Sequence, residues 1–212
     1  CFVLTLLFCV RISMANEIRI GVIGPMKHPI GVHDWKGAQF AADEINESGG
    51  ITVKNQKYTI ELHKADDNCF SSVPDAVSAM ERLVSVKKVH FVTGGQHTEA
   101  VLAQQEIMAE NKIIFLGSGA CSEVLCERVS QNYDRYKYWF RVSPAACNEL
   151  TKNYLAATEA VLKKIREELD IEKVKVAILA DKALYAELPV ALINKLFPKM
   201  GCEVIGEWRP SF

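Results

Sequence analysis

A threonine stands where a helix is predicted to begin, directly after an apolar strand. Thr98 follows the predicted strand at residues 89–93 and precedes Ala100, Ala103 and Ile107, which recur at helical spacing. Free backbone amides and the helix dipole make such a position attractive to a carboxylate or a phosphate. Capping of the helix by the threonine hydroxyl accounts for the same pattern. The sequence therefore predicts either an anion contact or a helix cap at Thr98.

A histidine and a cysteine could approach each other at the ends of two neighbouring strands. His97 lies beside Thr98, and Cys121 follows the next predicted strand, at residues 113–116. A thiolate in contact with a base forms the reactive pair of a nucleophilic catalyst. No third, orienting residue is evident, and a small buried cysteine is the commoner arrangement. A hydrolase that uses Cys121 and His97 is thus an alternative to a binding protein.

Other polar and glycine-rich segments give weaker signals. Residues 117–120 read Gly-Ser-Gly-Ala, which would let a ligand approach the backbone but lacks the features of a phosphate loop or a dinucleotide fingerprint. Asp66 and Asp67 follow a predicted strand and could contact a ligand or simply form a turn. His28 and His33 are poorly spaced for a metal, and no C-x-x-C pair exists. We therefore expect neither a metal nor a cofactor.

Apolar strands and amphipathic helices alternate along the chain. The predicted strands are residues 18–24, 58–63, 89–93, 113–116, 138–142, 174–179 and 202–205. Three intervening helices are predicted to begin at Asp34, at Ser72 with Pro74 in the first turn, and at Pro189. Residues 121–136 are predicted to form a loop with a short helix. Alternation of this kind predicts a doubly wound α/β fold with a parallel sheet, which binds ligands at the carboxyl ends of its strands.

A domain boundary is predicted near residues 143–148. Residues 16–145 contain enough strands and helices for one α/β lobe, whereas residues 146–212 supply two strands and two helices. So few elements bury too little surface for an independent domain. We therefore expect the second lobe to be incomplete in this chain. Its helices should expose apolar side chains, including Leu150, Tyr154 and Val161.

Composition and the first residues bear on location and partners. The net charge is −1 and no long run of one sign occurs, so the basic surface of a nucleic-acid-binding protein is absent. Residues 2–10 resemble the apolar core of a secretory signal, and Ser13 and Ala15 provide small residues for cleavage before Asn16. Residues 1–15 are therefore predicted to be a signal remnant, which predicts a periplasmic or extracellular protein.

After removal of the signal, five cysteines would remain: Cys69, Cys121, Cys126, Cys147 and Cys202. This odd number leaves at least one cysteine without a disulfide partner in the chain.

Several segments, in the same order along the chain, resemble the Leu/Ile/Val-binding branch of the type I periplasmic solute-binding proteins. They are residues 18–26, 37–51, 65–69, 106–120 and 176–185, with Ile45-Asn46-x-x-Gly49-Gly50-Ile51 followed by Asp66-Asp67 as the most specific part. The family consists of extracellular receptors for ABC transporters. The resemblance implies two α/β lobes that close on an amino acid.

The resemblance also implies a set of ligand contacts. Thr98 would contact the ligand carboxylate, the backbone at Gly119 and Ala120 would face the ligand, Tyr185 would lie on the cleft wall, and Gln96 and His97 would line the side-chain pocket. Cys121 stands where the family usually has a ligand-binding threonine. The family disulfide from the position of Cys69 would reach that of His97, so we expect this bridge to be absent.

The function implied is capture of an amino acid or a similarly small polar amide, without a reaction. The expected partner is an ABC permease or a membrane sensor. A ligand-sensing module of a membrane receptor, which shares this fold, is a further alternative.

Overall fold

The computed structural model describes residues 16–210 of the chain. The predicted signal, at residues 1–15, lies outside them. The strands are β1 (Asn16–Gly24), β2 (Ile51–Val53), β3 (Gln56–Asp66), β4 (Phe91–Gly94), β5 (Ile114–Gly117), β6 (Trp139–Arg141), β7 (Val174–Leu179) and β8 (Cys202–Trp208). The α-helices are α1 (Pro29–Glu47), α2 (Val73–Glu81), α3 (Thr98–Asn111), α4 (Val124–Gln131), α5 (Tyr133–Tyr136), α6 (Cys147–Leu169) and α7 (Leu184–Leu196). A π-turn at Arg82–Val86 continues α2, and a 3-10 turn at Pro198–Met200 follows α7.

The first six strands form one sheet in the order β2-β3-β1-β4-β5-β6. All neighbours are parallel except β2 and β3, so the predicted parallel α/β sheet is confirmed. The β2–β3 hairpin was missing from the prediction. Its turn places Lys54 and Asn55 at φ 47° and 65°, a conformation that glycine or asparagine usually supplies, so a lysine there gives little signal in the sequence.

The main core lies between this sheet and the helices α2 and α3. Ile23, Val92 and Phe115, from the neighbouring strands β1, β4 and β5, are fully buried there with Met80 and Met108. Phe115 also meets the Trp139 ring edge-on at 4.9 Å between ring centroids. This packing fixes the spacing of β1, β4 and β5, and therefore the relative positions of the loops that follow them.

A glycine allows the closest backbone approach in the sheet. Gly94 ends β4 with φ +118°, and a side chain on it would overlap the carbonyl oxygen of Ile23 in β1. The neighbouring amide, Gly95 N, donates to that same oxygen at 3.0 Å. The strand end can make this turn only because residue 94 has no Cβ.

Three predicted helix boundaries are wrong. Helix α1 begins at Pro29 and not at Asp34, because His28 Nδ1 accepts from Ile30 N at 3.3 Å and Pro29 suits the first helical position. The N-cap of α3 is His97, so Thr98 is its first helical residue. Pro189 lies inside α7, which starts five residues earlier at Leu184. The predicted start of α2 is confirmed, since Ser72 Oγ accepts from Asp75 N at 3.2 Å.

Strands β7 and β8 form a separate parallel sheet. Its small core contains Leu162 of α6, Val174 and Cys202. Tyr154 and Val161 of α6 are 69% and 56% exposed, as predicted, whereas Leu150 is only partly exposed, so the expectation is confirmed for two of its three residues. No helix within residues 16–210 is long and apolar enough to cross a membrane.

Asp67 is a buried structural carboxylate and not a surface turn residue. Its side chain is 0% exposed, and its two oxygens accept from Cys69 N and Gln104 Nε2, each at 3.2 Å. Burial raises the pKa of Asp67 above 3.8, although the hydrogen bonds from Cys69 and Gln104 oppose this. Asp66, by contrast, accepts from Met26 N at 3.0 Å and so ties down the loop after β1.

Asp67→Asn should remove part of the pH dependence of folding. Because the folded pKa is raised, the stability that the protonated carboxyl provides is complete below the unfolded pKa and is lost as the pH rises through the folded pKa. Asparagine does not titrate, so the variant should lack this decline. Urea unfolding between about pH 4 and about pH 8 measures the effect. Parallel profiles of the two proteins would contradict it.

Candidate ligand-binding site

The loops after β4 and β5 lie side by side. Ser118 N donates to Gly94 O at 3.0 Å, and Ala120 N donates to Gly95 O at 2.9 Å. These bonds continue the parallel pairing of the two strands into their loops. They bring the segment Gln96–Thr98 next to the segment Gly119–Cys121, as the sequence predicts for the carboxyl edge of a parallel sheet.

Thr98 has a buried hydroxyl at the N-terminus of α3. The residue is 1% exposed, and its Oγ1 has no hydrogen-bond partner among the residues that the structure describes. The first helical bond runs from Val101 N to His97 O at 2.9 Å, so the amides of the residues before Val101 receive no acceptor from within the helix. A hydroxyl and several amides that lack partners can together hold a carboxylate.

His97 and Glu99 flank this threonine, and their side chains contact each other and two distant segments. His97 Nδ1 lies 3.1 Å from Glu99 Oε2, and the His97 ring meets the Phe70 ring edge-on at 6.0 Å. The other carboxylate oxygen, Glu99 Oε1, accepts from Leu184 N at 2.9 Å. Glu99 therefore connects the start of α3 to the start of α7.

Gln96 lies across Gly119 and is held there by Asp34. Gln96 Nε2 donates to Asp34 Oδ2 at 2.5 Å, over a separation of 62 residues. A Cβ on Gly119 would overlap the Gln96 side-chain amide, so glycine is needed for this contact. Asp34 was interpreted from the sequence as a helix cap; the structure instead places it in the second turn of α1, at the edge of the site.

Cys121 is bonded to Cys147, the first residue of α6. The Cα atoms are 5.2 Å apart, and Cys147 N also donates to Cys121 O at 3.0 Å. Arg141 Nη1 donates to Cys121 O at 2.8 Å, and its Nη2 donates to Ser122 O. The hydrolase alternative is wrong for this state of the protein, because the Cys121 sulfur is not free to act as a nucleophile.

Cys69, Cys126 and Cys202 are free thiols in the described part of the chain. The expected absence of the bridge from Cys69 is confirmed. Burial, with the nearby carboxylate of Asp67, raises the pKa of the Cys69 thiol strongly. This thiol is therefore protonated and unreactive while the protein is folded.

Tyr185 and the disulfide line one groove between α6 and α7. The groove has a volume of about 440 Å³ and is lined mainly by apolar side chains, including Leu150 and Ile178. Tyr185 OH donates to Asp181 Oδ2 at 2.7 Å. Partial burial and this bond raise the pKa of Tyr185 to about 12, so the phenol stays neutral. Of the predicted site residues, Cys121 and Tyr185 line this groove, whereas Gln96, His97, Thr98 and Gly119 do not.

Not every predicted site residue presents a side chain to this site. Ala120 is 3% exposed and belongs to the main core, so only its backbone can take part. Asp34, Glu99 and Arg141 were not predicted as site residues, because their partners are distant in sequence.

Residues 16–210 contain no group of three or more His, Cys, Asp or Glu side chains arranged to hold a metal ion.

A doubly wound sheet with polar loops at its carboxyl edge is typical of α/β proteins that bind small molecules. A sequence profile of the family described as "Periplasmic binding protein" matches residues 17–212. The chain belongs to this family, as its resemblance predicts.

Characterised relatives agree with this assignment. The chain is 28% identical over 187 residues to an amino acid binding protein of Pseudomonas aeruginosa, covering 85% of this chain and 44% of that protein. It is 28% identical over 174 residues to the Leu/Ile/Val-binding protein BraC3 of Rhizobium johnstonii, covering 81% and 41%. The chain thus spans about half the length of the curated relatives it matches.

A solved structure has the same fold. The branched-chain amino acid transporter substrate binding protein LivJ of Streptococcus pneumoniae, in complex with isoleucine, superposes with a TM-score of 0.65. The match has 23% sequence identity and covers 92% of this chain and 50% of that one. At this identity the likeness establishes the fold, and the solute bound by this chain has to be argued from its own residues.

Proposed function

We propose that this protein is the solute-binding component of an ABC transporter, which captures an amino acid or a similarly small polar solute and delivers it to a permease. The observation that carries the proposal is the buried, unpartnered hydroxyl of Thr98 at the start of α3. A buried hydroxyl without a partner costs free energy. A ligand carboxylate would satisfy it together with the first amides of the helix.

We further propose two lobes, residues 16–145 and the beginning of a second at residues 146–212. The separation of the chain into two sheets supports this division. The solute would lie between the segments 96–98 and 119–121 on one side and Tyr185 on the other. Residues 1–15 would direct export, and the protein would act outside the cytoplasm, as its family name suggests. The proposed function needs no cofactor.

Replacing Thr98 tests the proposal. Thr98→Val keeps the shape of the side chain but removes the hydroxyl, and should weaken binding of the best ligand in a panel of amino acids by at least about tenfold. Thr98→Ser keeps the hydroxyl and should retain most of the affinity. Calorimetric titration measures both.

The stability of the same variants separates a ligand contact from a structural role. Since Thr98 Oγ1 has no partner in the described part of the protein, Thr98→Val should be at least as stable as the wild type. A variant that loses stability but keeps its affinity would contradict the proposal and would make Thr98 a structural residue only.

A further inference from the structure

The contact between Asp34 and Gln96 leaves two acceptors available at the edge of the candidate site. Gln96 Nε2 is the donor to Asp34 Oδ2, because a carboxylate can only accept. The amide oxygen of Gln96 must therefore point away from Asp34. Within residues 16–210, neither Gln96 Oε1 nor Asp34 Oδ1 receives a hydrogen bond. Both residues are partly buried, so a ligand beside them would displace their water.

A cavity lies directly beside Asp34. It has a volume of about 330 Å³, which is within the range of small-ligand pockets, and it opens where β1, β4 and β5 end. His33, Thr93 and Ser118 line it together with Asp34. The rest of its wall is formed by small residues and Val22, so room is available for an extended side chain.

Gln96 connects the segment that contains Thr98 to Asp34 at the cavity. Thr98 is two residues from Gln96, and Gln96 lies on Gly119. A solute with its carboxylate at Thr98 can therefore extend its other end towards Asp34. There it would meet the carboxylate of Asp34, which lines the cavity and is held in place by its hydrogen bond from Gln96.

We propose that the Asp34–Gln96 pair selects solutes whose distal group donates N–H hydrogen bonds: a carboxamide, an ammonium or a guanidinium. This inference rests on the function proposed above and names its solute class. An aliphatic side chain would remove water from both acceptors and provide no donor in return. A site that is built to hydrogen-bond a polar group discriminates strongly against analogues that lack it.

Calorimetric titration with three amino acids tests the inference on the protein with its second lobe completed. L-Lysine and L-norleucine have side chains of similar length, but only lysine carries a terminal donor, and L-glutamine provides a neutral one. We expect lysine or glutamine to bind at least tenfold more tightly than norleucine. The tighter of the two identifies the distal group as a cation or an amide.

Two isosteric variants test whether Asp34 produces the preference for solutes with a terminal donor. Asp34→Asn removes the charge and replaces one acceptor with a donor, so the preference over norleucine should fall by at least threefold. Asp43→Asn, on the exposed side of the same helix, is the control and should leave it unchanged.

The outcomes separate this inference from the function on which it rests. Norleucine binding as tightly as lysine and glutamine would overturn the inference and leave the proposed function standing. An unchanged preference in Asp34→Asn would also overturn it. If no amino acid binds, the proposed function fails and the inference fails with it.

Discussion

Cys147→Ser should lower the free energy of unfolding by about 3.5 kcal/mol, because the disulfide to Cys121 closes a loop of 26 residues. The bond restricts the unfolded chain, and in the folded state it holds the loop after β5 against the start of α6. Its loss should also loosen the neighbouring bond from Cys147 N to Cys121 O. Urea unfolding under non-reducing conditions measures the change.

Cys126→Ser is the matched control for this variant. Cys126 is an exposed free thiol five residues from Cys121, so its replacement should change the stability very little. Adding a thiol reductant should bring the wild type to the stability of Cys147→Ser and leave that variant unaffected. Equal stability of the wild type and Cys147→Ser without reductant would contradict the assignment of the bridge.

Gly94→Ala should be strongly destabilising. A methyl group there would overlap Ile23 O, and φ +118° is strained for any other residue. We expect a loss of at least about 3 kcal/mol, or a protein that does not fold, because backbone in the centre of the sheet would have to move. Thermal unfolding and the yield of soluble protein measure the effect.

Gly37→Ala is the control, and it should change the stability in the opposite direction. Gly37 lies inside α1, and a Cβ on it would meet no atom within 4 Å. Alanine should therefore stabilise the protein by about 0.5–1 kcal/mol. If Gly94→Ala were as well tolerated as Gly37→Ala, this would contradict the close approach of the β1 and β4 backbones at Gly94.

The parts of the fold that could be predicted are those encoded by local pattern. Strand β7 has the predicted bounds, and α2 begins after the predicted cap Ser72, since an apolar run and a cap with a following proline are short-range signals. The β2–β3 hairpin was missed because its turn relies on positive φ at Lys54 and Asn55 without a glycine. Pro189 was misplaced because the chain tolerates a proline within α7.

In the candidate site, too, some features could be predicted from the sequence and others could not. The positions of Thr98 and Gly119 at neighbouring strand ends follow from strand–helix alternation, because parallel strands must end at one edge. The Asp34–Gln96 contact and the Cys121–Cys147 bond could not be predicted. Each joins segments that are distant in sequence, and the partner of a cysteine cannot be deduced from sequence alone.

A small solute should bind where β4 and β5 end, and backbone amide chemical shifts of the isotopically labelled protein, with its second lobe completed, test this most directly. Titration with a panel of amino acids should produce saturating shifts at Thr98, Glu99, Ala100 and Gly119. Thr98→Val should not show these shifts at the same concentrations. Saturating shifts confined to other surfaces, or no shift with any amino acid, would contradict the account.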